Sequence, residues 1–145
     1  MATDSKQQIF RILIAYDGSA ESGRALELAF SVALAVKAGV TVLAVTPLPE
    51  PPTAATIGMA IDNAREQFGK VFEAMLRLAA DQNVRLETAI AIGRPAEQII
   101  RYAQDSHSDM IVVGRRGTSS YRILGLGSVS ERVLQQAPCP VLVAR

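Results

Sequence analysis

The chain has 145 residues, a net charge of +1 and one cysteine, Cys139. Its length suits a single domain over residues 1–145. Although 49% of its residues are hydrophobic, no run approaches the roughly 20 apolar residues of a membrane span. The polar start, MATDSKQQ, has no secretory signal, and one cysteine cannot form an internal disulfide. We therefore expect a cytoplasmic protein without membrane insertion, and the scattered Lys and Arg give little support to nucleic-acid binding.

Apolar periodicity alternates along the chain between strand-like and helix-like, which predicts βαβ units and a parallel sheet. Residues 9–16 (IFRILIAY) are nearly all apolar, as in a central strand covered on both faces. Residues 17–19 turn the chain, and Ser19 is predicted to cap a helix that has Glu21 in its first turn. Gly39 is predicted to end this helix.

The middle of the chain predicts two further strands with a long helix between them. Residues 40–46 (VTVLAVT) form a short apolar strand, and the proline-rich residues 47–52 form an extended connection. An apolar stripe over residues 61–79 has the spacing of a helix that packs on a sheet, and residues 81–83 end it. Residues 84–92 alternate between apolar and polar, which places their strand at an edge of the sheet.

The last third of the chain completes the alternation. A Gly-Arg-Pro turn leads into a helix over residues 96–103, with proline in its first turn. Residues 110–113 are predicted to form a buried strand, residues 128–136 a helix and residues 141–144 a final strand. Five strands and four helices leave no length for a second domain, and no internal repeat is present.

The segment over residues 109–131, DMIVVGRRGTSSYRILGLGSVSE, has the most informative pattern. Two residues lie between Gly114 and Gly117, and nine more lie between Gly117 and Gly127-Ser128. This loop leaves the carboxyl end of a strand and returns at a helix N-terminus, where parallel α/β sheets bind ligands. Glycine lets backbone amides approach phosphate oxygens, and a helix start adds unpaired N–H donors and partial positive charge.

The charges of this loop also suit an anion. No acidic residue lies between Met110 and Ser130, and the loop carries three arginines, Arg115, Arg116 and Arg122. We therefore expect uncovered amides between Val113 and the start of the final helix to hold a polyphosphate.

Each part of the pattern also has an explanation without a ligand. Gly117 and Gly125 could serve turns, and Ser128 with Glu131 forms a capping box that any helix could use. The arginines could be solvated loop charges. Neither a Walker loop nor a dinucleotide-binding fingerprint is present, so conventional NTPase and NAD-binding classes lose their main support.

Taken whole, the glycine pattern resembles the GxxG-x9-G[ST] motif of ATP-binding proteins in the universal stress protein family. The resemblance extends over the chain, through ILIAYDGS, VTVLAV, the GRP turn, SDMIVVG and the ending APCPVLVAR. It implies an open five-stranded parallel sheet in the order 3-2-1-4-5 with helices on both faces, as in the adenine nucleotide alpha-hydrolase-like fold.

The resemblance also implies which residues bind ATP. Adenine would lie against the ends of the first two strands, with backbone hydrogen bonds from Val45 and with Ala15 nearby. Asp17 would face the nucleoside, although a turn-forming role is the alternative. The residues implied around the ribose and phosphates are Val113, Gly114, Arg115, Gly117, Gly127, Ser128, Val129 and Ser130. The Ser130 hydroxyl is expected to donate to phosphate, and any Mg²⁺ would be held through the phosphates.

These features favour an ATP-binding regulatory or stress-response protein, with a slow ATPase or phosphotransferase and a nucleotide-independent structural dimer as alternatives. The one histidine, His107, is predicted on a surface loop at the opposite edge of the sheet, so neither catalytic residues nor dedicated metal ligands are evident. The resemblance implies a homodimer through residues 141–144, whose edge strand could pair with a second copy.

Overall fold

The computed structural model describes residues 9–115 and 126–145, and in these residues five strands alternate with four helices. The strands are β1 (Arg11–Ala15), β2 (Gly39–Thr46), β3 (Arg85–Ile92), β4 (Met110–Gly114) and β5 (Val141–Ala144). The helices are α1 (Ala20–Val36), α2 (Ala54–Asp81), α3 (Pro95–Asp105) and α4 (Ser128–Gln136). All pairings are parallel and the sheet order is β3-β2-β1-β4-β5, which confirms the predicted fold.

The strand order places a switch point beside the central strand. The chain adds β2 and then β3 on one side of β1, and returns to add β4 and β5 on the other side. The connections that leave the carboxyl ends of β1 and β4 therefore run in opposite directions. In parallel sheets this divergence opens a crevice at the carboxyl edge.

Helices cover both faces of the sheet, and each face has its own core. Residues of α1 and α2, including Ala25, Ala29, Phe68 and Phe72, pack with one face. Residues of α3 and α4 pack with the other face, where the buried side chains are Leu13, Leu43, Ala96, Ile99, Ala103, Ile111, Val113 and Val133. Burial on both faces explains why the inner strands are almost wholly apolar.

The ends of α1 confirm one prediction and correct another. The Ser19 side chain accepts the amide N–H of Ser22 at 3.1 Å, so the predicted N-cap is confirmed. Gly39 does not end the helix. Lys37 is the C-cap with φ 57°, in the left-handed region, and Gly39 is the first residue of β2, paired with Arg11. The lysine backbone makes the turn, so the glycine is available to the sheet.

Helix α2 is longer than the stripe that predicted it. It begins after Thr53, whose side chain and backbone exchange hydrogen bonds with Thr56, and it ends at Asp81, as expected. Its 28 residues span about 42 Å, whereas the eight residues of β3 span about 26 Å. Because α2 runs antiparallel to β3, its N-terminal turns extend beyond the carboxyl edge of the sheet.

The remaining boundaries agree closely with the sequence. Strand β3 pairs with β2 alone, which confirms its edge position. Pro95 is the first residue of α3, and α4 covers the predicted residues. The predicted capping box at α4 is wrong, because Gly127 is the N-cap and Ser128 is already helical, with no side-chain cap bond.

Candidate functional site

A cleft of about 350 Å³ opens at the carboxyl edge of the sheet. The ends of β1, β2 and β4 and the start of α4 border it, and α2 and α3 supply its outer walls. Its volume lies in the range of cavities that hold small molecules, roughly 300–1,000 Å³. The cleft therefore occupies the switch point that the strand order creates.

The end of the cleft nearest β2 is mainly apolar. Its walls include Leu43 and Val45 from β2 and Ile99 from α3. Pro47 and Phe68 add two more apolar surfaces. A flat apolar group of a ligand would lose its contact with water here, which favours binding in proportion to the area buried.

The other end of the cleft meets the N-terminus of α4. The first helical amides, those of Ser128, Val129 and Ser130, have no acceptor among the described residues, as the geometry of a helix start requires. The amide of Glu131 is the first to be satisfied, by the carbonyl of Gly127 at 3.0 Å. Three N–H groups and the positive end of the helix dipole thus face the cleft, which favours an anion at this position.

Two amides that the sequence predicts to be uncovered are already bonded within the chain. The Arg115 amide donates to the carbonyl of Ala144 at 2.7 Å, and the Gly127 amide donates to the carbonyl of Arg115 at 2.7 Å. These bonds extend the β4–β5 pairing and tie the end of β4 to the start of α4. Among the described residues of this segment, uncovered amides at the cleft are those of Ser128, Val129 and Ser130.

The Ser130 side chain also differs from its predicted role. It is 3% exposed, and its hydroxyl donates to the carbonyl of Arg115 at 2.8 Å, with the carbonyl of Gly127 at 3.1 Å. A hydroxyl has one proton to donate, and these carbonyls already share it. Ser130 therefore contributes its backbone N–H to the cleft, while its side chain fixes the junction between β4 and α4.

Gly114 has a packing function that the motif did not predict. A Cβ at this position would lie 2.8 Å from the carbonyl carbon and 2.9 Å from the carbonyl oxygen of Glu21. Backbone atoms cannot move away as a flexible side chain does. The absence of a side chain at Gly114 lets the first turn of α1 approach the end of β4, at the border of the cleft.

Asp17 follows β1 and lines the cleft. Its carboxylate accepts the amide of Ser19 at 2.9 Å, which forms the turn into α1 together with Gly18 at φ 85°. The alternative role of Asp17 as a turn-forming residue is thus present in the structure.

Every predicted site residue in the described part of the chain lines the cleft, with one exception. Ala15, Asp17, Val45, Val113, Gly114, Gly127, Ser128, Val129 and Ser130 are brought together there. Arg115 is the exception. Its backbone N–H and carbonyl are bonded to Ala144 and Gly127, and its Nε is buried without a partner among the described residues. Gly117 lies outside the described residues.

The sequence did not single out the wall that α2 and the end of β1 form. Tyr16, Gln67 and Phe68 line the cleft, and the rings of Tyr16 and Phe68 meet edge to face with centroids 6.3 Å apart. Phe68 also stacks on Phe72 at 5.7 Å. Phe68 and Phe72 were predicted only as core, because helical spacing shows which face is buried but not which residues reach an edge.

The remaining findings concern charge and composition around the site. In the described parts of the chain, no three His, Cys, Asp or Glu side chains are grouped as a metal site requires. Burial, and then the charge of Glu87, raises the pKa of Tyr102, while burial and then Asp109 raise the pKa of Cys139. Neither side chain lines the cleft. His107 is exposed in the turn after α3.

The fold and the cleft together define a parallel α/β protein with an anion-receptive crevice at its switch point. The sequence profile of the "Universal stress protein family" matches residues 9–145, and the chain belongs to that family. It is 34% identical to universal stress protein YxiE of Bacillus subtilis over 145 residues, covering 93% of this chain and 98% of that protein. It is 38% identical to a universal stress protein of Thermus aquaticus, covering 92% and 97% respectively.

A solved structure agrees with this assignment. The universal stress protein UspA from Lactobacillus plantarum superposes with a TM-score of 0.76 at 28% identity, covering 94% of this chain and 97% of that one. Among residues 9–115 and 126–145, no helix combines the length and apolar content needed to cross a membrane.

Proposed function

We propose that this protein binds ATP in the cleft and acts as a nucleotide-dependent regulatory or stress-response protein. The observation that carries the proposal is the pairing of an apolar end at β2 with three outward N–H groups at the start of α4. An adenine nucleotide has matching parts, because adenine is flat and weakly polar and the phosphate chain is an anion. The single domain over residues 1–145 and its cytoplasmic location are part of the same proposal.

The described residues offer the contacts that such a ligand needs, and enough of them for micromolar affinity. Val45 and Ala15 border the apolar end, and Ser128, Val129 and Ser130 offer amides to phosphate oxygens. Micromolar affinity requires about 8 kcal/mol. Three charge-assisted hydrogen bonds of about 1.5–3 kcal/mol each, together with burial of the base, are enough to reach it.

Two solved proteins of the same fold support a nucleotide as the ligand. A universal stress protein with a TM-score of 0.65 to this chain was determined in complex with cAMP. A second one, from Archaeoglobus fulgidus, was determined in complex with dAMP and has a TM-score of 0.68. At 24% and 19% identity they share the fold with this chain. The fold can thus hold an adenine nucleotide, and we extend this to the present cleft.

We propose a regulator rather than an enzyme because the cleft lacks an evident general base among its described residues. Asp17 is the one described carboxylate that lines the cleft, and it holds the turn into α1. Mg²⁺, if required, would be held by the phosphates and water. A phosphate-release assay with magnesium separates this proposal from a slow ATPase, since turnover at the rate of an ordinary enzyme would contradict it.

The binding site is tested most sharply at Ser128, the first residue of α4. Proline is well tolerated at this helical position, and the extended backbone of the preceding Gly127, at ψ 164°, suits a following proline. Ser128→Pro removes one cleft-facing N–H, whereas Ser128→Ala retains it and removes only the hydroxyl. We expect Ser128→Pro to weaken ATP binding about tenfold to a hundredfold and Ser128→Ala to change it little, both measured by calorimetry on folded protein.

Equal ATP affinity in the two Ser128 variants would contradict the proposed phosphate position. A second measurement does not depend on a variant. Freshly purified protein is denatured, and any released nucleotide is identified by mass spectrometry. This experiment also separates ATP from ADP, AMP and cyclic forms. If wild-type protein neither releases nor binds an adenine nucleotide, a nucleotide-independent structural protein becomes the better explanation.

We also propose a homodimer through β5. The strand pairs with β4 on one side, and its other edge has no partner strand among the described residues. An unpaired edge favours pairing with another chain. Sedimentation that detects only monomer at high protein concentration would contradict this assembly.

A further inference from the structure

We infer that Gln67 recognises the 6-position of the purine and thereby selects adenine. The inference rests on the proposed nucleotide function and adds a contact from α2, an element that the glycine motif does not include. Gln67 is exposed at the mouth of the cleft and lines it together with Thr46 and Pro47. Thr46 is the last residue of β2 and Pro47 follows it, so Gln67 lies at the apolar end of the cleft.

The position of Gln67 along α2 places it near the level of the sheet edge. Fourteen residues separate it from Asp81 at the end of α2, a rise of about 21 Å. The eight residues of the adjacent strand β3 rise about 26 Å. Gln67 therefore lies close to where the strands end, while the earlier turns of α2 extend beyond them.

The backbone of Gln67 is held by its neighbour. Phe68 is 7% exposed and packs edge to face with Tyr16 and stacked with Phe72, at centroid distances of 6.3 and 5.7 Å. These contacts join the middle of α2 to the end of β1. The Gln67 side chain thus starts from a fixed point beside the cleft, which reduces the entropy lost when it binds a ligand.

The side-chain carboxamide of Gln67 makes no hydrogen bond to any residue that the structure describes. A carboxamide presents one acceptor and two donors, and adenine presents a 6-amino donor beside a ring-nitrogen acceptor. These two patterns are complementary, as in the pairing of glutamine with adenine in DNA recognition. Backbone hydrogen bonds from Val45 are expected on one edge of the base, and Gln67 would bond the 6-amino group and N7 on the other, while apolar side chains enclose the faces of the base.

The chemistry of the 6-position provides the test. Purine riboside triphosphate has hydrogen where ATP has the amino group, and inosine triphosphate has a carbonyl. The amide can accept from the amino group, and after rotation its NH₂ can donate to the carbonyl. A carboxylate only accepts. On the N7 side, Gln67→Glu retains the 6-amino partner of ATP, whereas the 6-carbonyl and N7 of inosine triphosphate are both acceptors and oppose a carboxylate. Gln67→Ala removes the contact for all three ligands.

The experiment measures the three dissociation constants by calorimetry for wild type, Gln67→Ala and Gln67→Glu. Gln104→Ala is the matched control, since Gln104 is an exposed helical glutamine on α3 outside the cleft. We expect wild type and Gln104→Ala to prefer ATP over purine riboside triphosphate about fivefold to tenfold. In Gln67→Ala this ratio should fall below the wild-type value, to what the Val45 backbone alone provides, and Gln67→Glu should favour ATP over inosine triphosphate more strongly than wild type does.

Ratios of affinities separate base reading from a general loss of structure, which would weaken all three ligands alike. If Gln67→Ala retains the wild-type ratio, or if Gln104→Ala loses it, the inference is overturned while ATP binding stands. An unchanged ratio of ATP to inosine triphosphate in Gln67→Glu would overturn it as well. If wild type binds none of the three, the proposed function fails first and the inference fails with it.

Discussion

Replacing Gly114 with alanine tests whether the first glycine of the motif is required by packing. The added Cβ would lie 2.8 Å from the Glu21 carbonyl carbon, 2.9 Å from its oxygen and 3.0 Å from its Cβ. Real Cβ atoms essentially never approach other atoms more closely than 3.0 Å. Gly114 does not have a positive φ, so alanine suits its backbone, and the whole cost comes from displacing α1.

The magnitude follows from the cost of overpacking. Inserting a methyl group into a well-packed site costs about 1–3 kcal/mol. For a chain of 145 residues, an unfolding entropy of about 2.1 cal/mol/K per residue converts this to a loss of about 3–10 °C in melting temperature. Thermal unfolding followed by circular dichroism measures this change directly.

Gly58→Ala is the matched control. Gly58 lies within α2, and a Cβ there would have no atom within 4 Å. Since alanine is the better helix former, we expect a gain of about 0.5–1 kcal/mol. A melting temperature of Gly114→Ala at or above that of wild type would refute the packing argument, and Gly114 would then be explained by ligand approach alone.

Three further predictions concern the site, a helix cap and the thiol. Gly127→Val should abolish measurable ATP binding, because its side chain would enter the phosphate end from an extended backbone that valine readily adopts; the control Gly58→Val should bind normally in the same calorimetric assay. Ser19→Ala should lower the free energy of unfolding by about 1 kcal/mol in urea titrations, since it removes the N-cap bond of α1. The raised folded-state pKa of Cys139 makes a stabilising contribution that is complete below the ordinary thiol pKa of about 8.5 and is lost as the pH rises through the folded-state value. Urea titrations at pH 7 and 9.5 should therefore show a larger loss in wild type than in Cys139→Ala, and equal losses would contradict this reasoning.

Most element boundaries and the edge position of β3 were predictable because they depend on patterns that burial imposes, whereas the full strand order came from the family resemblance. An inner parallel strand must be apolar on both faces, as β4 is, whereas β3 at the edge retains exposed Arg85 and Glu87. Proline at the start of α3 and the serine cap at α1 are local signals with local causes. Such features can be recognised from the sequence because they depend on residues that are neighbours along the chain.

The errors arose where a residue type has several uses. Gly39 resembled a helix terminator, but Lys37 adopted the left-handed conformation and left the glycine to β2. Ser128 and Glu131 matched a capping box, yet Gly127 is the N-cap. A one-residue shift in a helix start changes which side chain can cap, and sequence patterns do not fix boundaries that closely.

The position of the cleft was predictable, but the hydrogen bonds around it were not. The family resemblance placed Gly114, Gly127 and Ser130 around one nucleotide, and all three line the cleft. The motif could not reveal that the Arg115 carbonyl accepts from both Gly127 and Ser130, because this contact joins residues 12 and 15 positions apart. Gln67 was missed for the same reason, since only the tertiary arrangement brings α2 to the cleft.

The Arg115 carbonyl shows how the two ends of the cleft differ in preorganisation. It fixes the start of α4 against the end of β4 through two hydrogen bonds within the chain, at 2.7 and 2.8 Å. The outward amides of Ser128 and Val129 are thereby held in place by contacts that involve no ligand. At the apolar end, Gln67 is exposed and has no partner among the described residues. If the proposed nucleotide binds, α4 would meet its phosphates with little rearrangement, and α2 would gain contacts.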